Sequence, residues 1–124
     1  MPKHTFRPAQ RLLNQKQFNQ VFAEAFVRAA VPEVLVLASE RTSNETVKGP
    51  RLGFIVAKKK IRHAVNRNHF KRIFREHFRH LSSDYPALDL VVLARTGAQN
   101  LDTAALHRIA KQLYLKIQTK YSDC

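Results

Sequence analysis

The sequence has little with which to cross-link itself. Its one cysteine, Cys124, is the last of 124 residues. No internal disulfide or cysteine-based metal cluster can form, and a reducing interior fits. Three glycines and five prolines exclude collagen-like and low-complexity chains. Residues 1–13 alternate basic and apolar side chains, with no apolar run of signal-peptide length. No stretch approaches the length that spans a bilayer. The expectation is a cytoplasmic protein with no membrane partner. Acids are also few: the nine Asp and Glu are scattered, and no close pair invites two-metal phosphoryl chemistry.

What is present is positive charge on a chain able to fold. Hydrophobic residues make up 44% of the sequence, enough for a core without disulfides or a structural metal. The length fits one domain, 1–124, with an irregular segment at 1–13 and a flexible tail at 119–124. Lys and Arg number 22, giving a formal net charge of +13. A compact domain with that imbalance repels itself, which natural chains accept when the partner is a polyanion.

Periodicity sets the organisation. Asn14 can cap a first helix, with Gln17 at the reciprocal position. Phe18, Val21, Phe22 and Ala25 then share one helical face. Phe26 to Ala30 reads either as a last helical turn or as a short strand. Val34 to Ala38, Leu52 to Ala57 and Asp89 to Ala94 are apolar runs of strand length. Residues 41–50 form a polar loop ending in Gly-Pro. A long helix is predicted over Ala64 to Leu81, broken by Asp84-Tyr85-Pro86. Asp102 or Thr103 caps a final helix with Leu106, Ile109, Ala110, Leu113 and Ile117 inward. Helices covering a mixed sheet make a two-layer α/β or α+β sandwich.

The segment 58–80 carries the chemistry. It reads KKKIRHAVNRNHFKRIFREHFRH, with nine Lys or Arg and one acid, Glu76. At about 100° per residue, Phe70, Ile73, Phe74, Phe78 and Leu81 fall on one arc. Arg67, Asn68, Lys71, Arg72, Arg75 and Arg79 are assigned to the other. A solvated helix face normally mixes both signs in i, i+4 pairs. Here Arg67 with Lys71, and Lys71 with Arg75, are like-charged and repel, which points to phosphates as the partner. Guanidinium groups match phosphate oxygens in bidentate geometry. Asn68 can read a 2′-hydroxyl or base edge, or can tie down the preceding loop. His77 and His80, at i and i+3, read as phosphate or base contacts, with a metal or acid–base pair as the alternative. An interfacial membrane helix would need its Phe face for lipid, and this chain needs that face for its core. Charge alone does not separate RNA from DNA.

The spacing of these residues resembles a known family. Lys58-Lys59, Ala64-Val65, Arg67-Asn68, Lys71-Arg72, Arg75-Glu76 and Phe78-Arg79, following a strand, are similar to the signature of the bacterial ribonuclease P protein subunit. Arg11-Leu12 with Phe18 and Val21-Phe22 resembles the family's opening, and Leu90 to Arg95 its last strand. The resemblance covers about residues 6–118. It implies the order α-β-β-β-α-β-α, a four-stranded mixed sheet with a strand near Phe26 to Ala30, and a left-handed β-α-β crossover against the usual right-handed rule. It implies a non-catalytic subunit of an endoribonuclease that removes the 5′ leader of precursor tRNA. The catalytic centre, with its Mg²⁺, lies in the RNA subunit, and no dedicated protein metal site is expected.

Carried over by position, the resemblance implies that Lys58, Lys59, Lys60, Arg62, Arg67, Asn68, Lys71, Arg72, Arg75 and Arg79 face the catalytic RNA. It implies that Phe18, Phe22 and Arg95 hold the leader, in a cleft between the first helix and the sheet. The i, i+4 spacing of the two Phe residues supports core packing equally. Where many relatives have Gly before Ala-Val, this chain has Arg62-His63. Where a second basic residue often follows Arg95, it has Thr96, and Val36 stands where some relatives carry an aromatic. The alternative function is a ribosomal or RNA-chaperone protein on a related fold. A free-standing nuclease is disfavoured by the scattered acids.

Overall fold

The computed structural model describes residues 19, 21–23, 27–40, 50–81, 85 and 88–122. Asn14, Gln17, Phe18 and the loop 41–49 lie outside them. Strands β1 (Val27–Val31), β2 (Val34–Glu40), β3 (Arg51–Ile55) and β4 (Leu88–Ala94) form one sheet in the order β1-β2-β4-β3. A basic helix (Ala64–Arg79) joins β3 to β4, and a C-terminal helix (Thr103–Ser122) follows. Residues 19 and 21–23 are helical.

Each element has a local cause. β1 and β2 are antiparallel, with Val31 paired to Val34 across Pro32 and Glu33. The strand reading therefore holds over Val27 to Ala30, and Phe26 lies outside the described residues. Proline has no N–H to lose at such a turn. β2 and β4 are antiparallel, and β3 and β4 are parallel. A parallel pair needs a long crossover, and the basic helix supplies it. That helix has no Gly or Pro inside and ends at His80, whose N–H turns back to the carbonyls of His77 and Phe78. After β4, Gly97 takes φ of 95°, a left-handed conformation that favours glycine. There a Cβ would also meet Glu33 Cγ at 3.4 Å. Asp102, not Thr103, caps the C-terminal helix: its Oδ1 accepts from Ala105 N–H at 2.8 Å.

The core sits between the sheet and the two long helices. Val27, Val36, Leu52, Leu90 and Val92 meet Phe70, Ile73, Phe74 and Phe78 from the basic helix and Leu106 to Ile117 from the other. Phe74 and Phe78 meet the Tyr114 ring edge-on at 6.0 and 6.4 Å, a favoured aromatic geometry. Residues 119–122 extend the helix instead of forming a tail. Tyr121 packs on the core, and Lys120 Nζ donates to the Arg28 carbonyl. The opposite sheet face is covered differently. There Val21 is buried against Val91, with Leu37 and Leu93 packed around them.

Candidate nucleic-acid interface

The basic helix starts from a loop that is tied down at several points. Lys60 and Ile61 N–H both donate to the Ala57 carbonyl, at 2.9 and 3.1 Å, and Ile61 is buried as an apolar anchor. Lys60 Nζ donates to Thr96 Oγ1 at 2.9 Å, and Arg62 N–H to Gln99 Oε1 at 3.3 Å. His63 occupies the N-cap position with an extended backbone and no side-chain cap. The helix dipole adds positive potential at this end, which follows Lys58, Lys59 and Arg62 in the chain.

The cationic arc is narrower than the sequence suggests. Arg67 does not lie with the outward residues. It is half-buried, and its Nη1 donates to the carbonyls of Ile61 at 3.1 Å and Arg62 at 2.9 Å. Its angular position falls between the Phe74 and Phe78 rows, so its stem lies along the apolar arc and its head reaches the loop. Arg67, not Asn68, thus performs the loop tie considered for Asn68. Asn68 is exposed, as are Lys58, Lys59, Arg62 and Arg72. Lys60, Lys71, Arg75 and Arg79 are partly exposed. Glu76 lies 3.5 Å from Arg72 and 3.7 Å from Arg79. Such exposed pairs contribute little and leave the arc strongly positive.

The histidines bind elements together. His77 pairs with His107 of the C-terminal helix, Nε2 to Nδ1 at 2.9 Å, not with His80. Its pKa is lowered, chiefly by burial and next by His107, while Glu76 opposes the shift. His69 bonds Thr103 Oγ1 at 3.0 Å. Among the described residues no group of three or more His, Cys, Asp or Glu could hold a metal ion.

The second predicted site lies on the other sheet face. Val21 is fully buried, whereas its neighbour Phe22 is 44% exposed. Core packing at this turn falls to Val21, and the Phe22 ring is left at the surface beside a sheet face where Leu37 and Leu93 are only partly covered. Phe18 lies outside the described residues. Arg95 is exposed, and its N–H donates to the Glu33 carbonyl at 2.8 Å. The Lys60–Thr96 bond brings the lysine loop to the turn that carries Arg95. Thr96, where a second cation was absent from the sequence, thus orients one from elsewhere. Sequence reasoning missed the parts played by Thr96 and His107, and also a buried pair. Arg51 Nε and Nη2 donate to Asp89 Oδ1 and Oδ2 at 2.8 and 2.6 Å on the same sheet face. The only hint was that both residues sit at strand starts, and the parallel register sets them side by side.

Fold and site together define a small basic α+β protein with a strongly positive helix and loop, and with a partly apolar sheet face on its other side. The family model for ribonuclease P matches residues 6–118. The ribonuclease P protein component of Saccharophagus degradans is 42% identical over 116 residues, covering 94% of this chain and 83% of that protein. The corresponding protein of Chromohalobacter salexigens is 39% identical over 118 residues, covering 95% and 89%. The Staphylococcus aureus RNase P protein superposes with a TM-score of 0.74 at 26% identity, over 88% of this chain and 97% of that one. The Thermotoga maritima RNase P protein does so with a TM-score of 0.60 at 26% identity, over 83% and 96%. The chain belongs to the ribonuclease P protein component family. It is a subunit of a tRNA-processing endoribonuclease that is a ribonucleoprotein, so it has an RNA partner. No helix among the described residues is long and apolar enough to cross a membrane.

Proposed function

We propose that the lysine loop and the basic helix dock on the catalytic RNA of ribonuclease P, and that the sheet face beside Phe22 holds the 5′ leader of precursor tRNA. Lys58, Lys59, Arg62, Lys71, Arg72 and Arg75 meet phosphates, and Asn68 reads a 2′-hydroxyl or base edge. Arg67 acts partly through the loop that it holds. Phe22, with Phe18, offers rings on which leader bases stack, and Arg95 meets the leader backbone. The RNA subunit carries the Mg²⁺ and the hydrolytic step, and the protein lowers the Mg²⁺ concentration that cleavage needs. The enzyme works in the cytoplasm.

The observation that carries this reading is the strongly positive surface of the loop and helix, held in place by Arg67 and Lys60. Five phosphate contacts would give a log–log salt slope of about −3.5 to −4.5. The test is reconstitution with a bacterial ribonuclease P RNA. Adding the protein raises leader cleavage at low Mg²⁺. Absence of stimulation, or a flat salt response, refutes the reading.

A further inference from the structure

Between the C-terminal half of the basic helix and the C-terminal helix lies a cavity of about 530 Å³, within the size range of small-ligand sites. It opens on the helical side of the molecule, away from the sheet face of Phe22. It also lies on the flank of the basic helix opposite Arg75, because His77, which lines it, faces His107 on the other helix. Neither of the two surfaces already described includes it.

The lining has a definite polarity. Its apolar lining is Leu81, Leu115, Tyr85 and Tyr114, of which the two tyrosines are buried. Both tyrosine hydroxyls are turned into the protein. Tyr85 donates to the Tyr114 carbonyl at 2.7 Å, and Tyr114 to the Phe74 carbonyl at 2.9 Å. The rings are therefore fixed, and this lining offers no free hydroxyl. Leu115 is 59% exposed, an aliphatic side chain at a helix surface that the described residues do not cover. Polar groups gather at the mouth, where Lys111 and His80 are exposed and Gln118 is partly so. An apolar slot with a cationic mouth and one amide suits a flat, largely apolar group that carries a negative charge. A nucleotide has this build: a base for the slot, edge donors and acceptors for the amide, and a phosphate for the ammonium.

We propose that this cavity receives one unpaired nucleotide of the RNA partner, its base against Leu81 and Leu115, its edge on Gln118 and its phosphate on Lys111. The inference rests on the RNA-binding reading above and adds a second point of attachment to it. RNA seated on the basic helix would pass round the end of that helix to reach the slot. Only an unpaired nucleotide can do this, because a base in a duplex is not free to leave its stack.

The test uses the full-length protein assembled with a ribonuclease P RNA. A photo-reactive benzophenone side chain replaces Leu115 in one sample and Arg72 in another, and crosslinked nucleotides are mapped. In parallel, Leu115→Gln, a change at an exposed helical position, is assayed for RNA affinity across salt concentrations. The proposal expects position 115 to crosslink to a discrete unpaired segment. It expects Leu115→Gln to weaken binding about tenfold, the scale of losing the burial of one aliphatic side chain, with an unchanged salt slope because no phosphate contact is removed. Crosslinks from position 115 to paired RNA only, none from 115 while 72 reacts, or unaltered affinity in Leu115→Gln each overturn the proposal and leave the basic-helix reading standing. Failure of both positions to crosslink overturns the basic-helix reading as well.

Discussion

Replacing Asp89 with Ala tests the least exposed charged contact in the described protein. β3 and β4 run parallel with Arg51 opposite Asp89. The guanidinium grips the carboxylate through two bonds of 2.8 and 2.6 Å. Both side chains are only 6% exposed. Water therefore cannot replace the carboxylate readily, and Arg51 cannot shed its proton. Breaking such a pair from one side costs about 3–5 kcal/mol. A domain of this length has a total stability of roughly 6–19 kcal/mol, at about 0.05–0.15 kcal/mol per residue. The loss is thus a large share of the whole and lowers Tm by roughly 10–25 °C. Urea unfolding followed by circular dichroism should show a lower midpoint with an unchanged m-value. Asp89→Leu combined with Arg51→Met removes both charges at similar volume and should recover most of the stability. A loss below about 1 kcal/mol in Asp89→Ala, the range of surface pairs, refutes the argument. So does a double variant as unstable as the single one.

Arg67→Ala should reduce RNA affinity and also loosen the loop, so protease cleavage near Lys58 to His63 rises. Arg67→Lys should restore part of the loop order, because both carbonyls accept from the single nitrogen Nη1 and an ammonium also carries several donors; no rescue by Lys counts against the clasp. Phe22→Ala should leave stability within about 1 kcal/mol, since the ring is nearly half exposed. It should weaken leader binding by about 1–3 kcal/mol per stacked base, and a severe loss of stability would return Phe22 to the core. His77 should make the fold acid-sensitive. Its folded pKa lies below its ordinary value, so between the two values the unfolded chain binds more protons and stability rises with pH. Tm should therefore drop as pH falls from about 6.5 through the folded value, and His77→Gln should lose that part of the drop; identical profiles refute it.

Hydrophobic periodicity found most of the fold without help. The basic helix ends two residues before the predicted Leu81, and the strands fall within a residue or two of their apolar runs, with β2 running two residues on to Glu40 and β3 stopping two residues short at Ile55. The region around Val27 was ambiguous because five residues of strand length also fit a last helical turn. Its pairing with β2 settled the matter. Charge density likewise marked the lysine loop and basic helix as the surface for a polyanion.

The sequence could not say which side chain of a mixed helix faces which neighbour. Angular position puts Arg67 between Phe74 and Phe78 on the apolar arc, but only the folded chain shows that its long stem reaches the loop carbonyls of Ile61 and Arg62. Val21 and Phe22 are consecutive and both apolar. Only the approach of Val91 decides that Val21 is the buried one. The His77–His107 pair spans 30 positions and the Arg51–Asp89 pair 38. Contacts at such separations depend on how the elements stack, and periodicity within one element carries no information about that. Local pattern thus determined the elements and the sign of the basic surface, because backbone geometry and charge act within a few residues. The clasp on the loop, the exposed aromatic ring and the cavity beside Leu115 were decided by packing between elements, which exists only once the chain is folded.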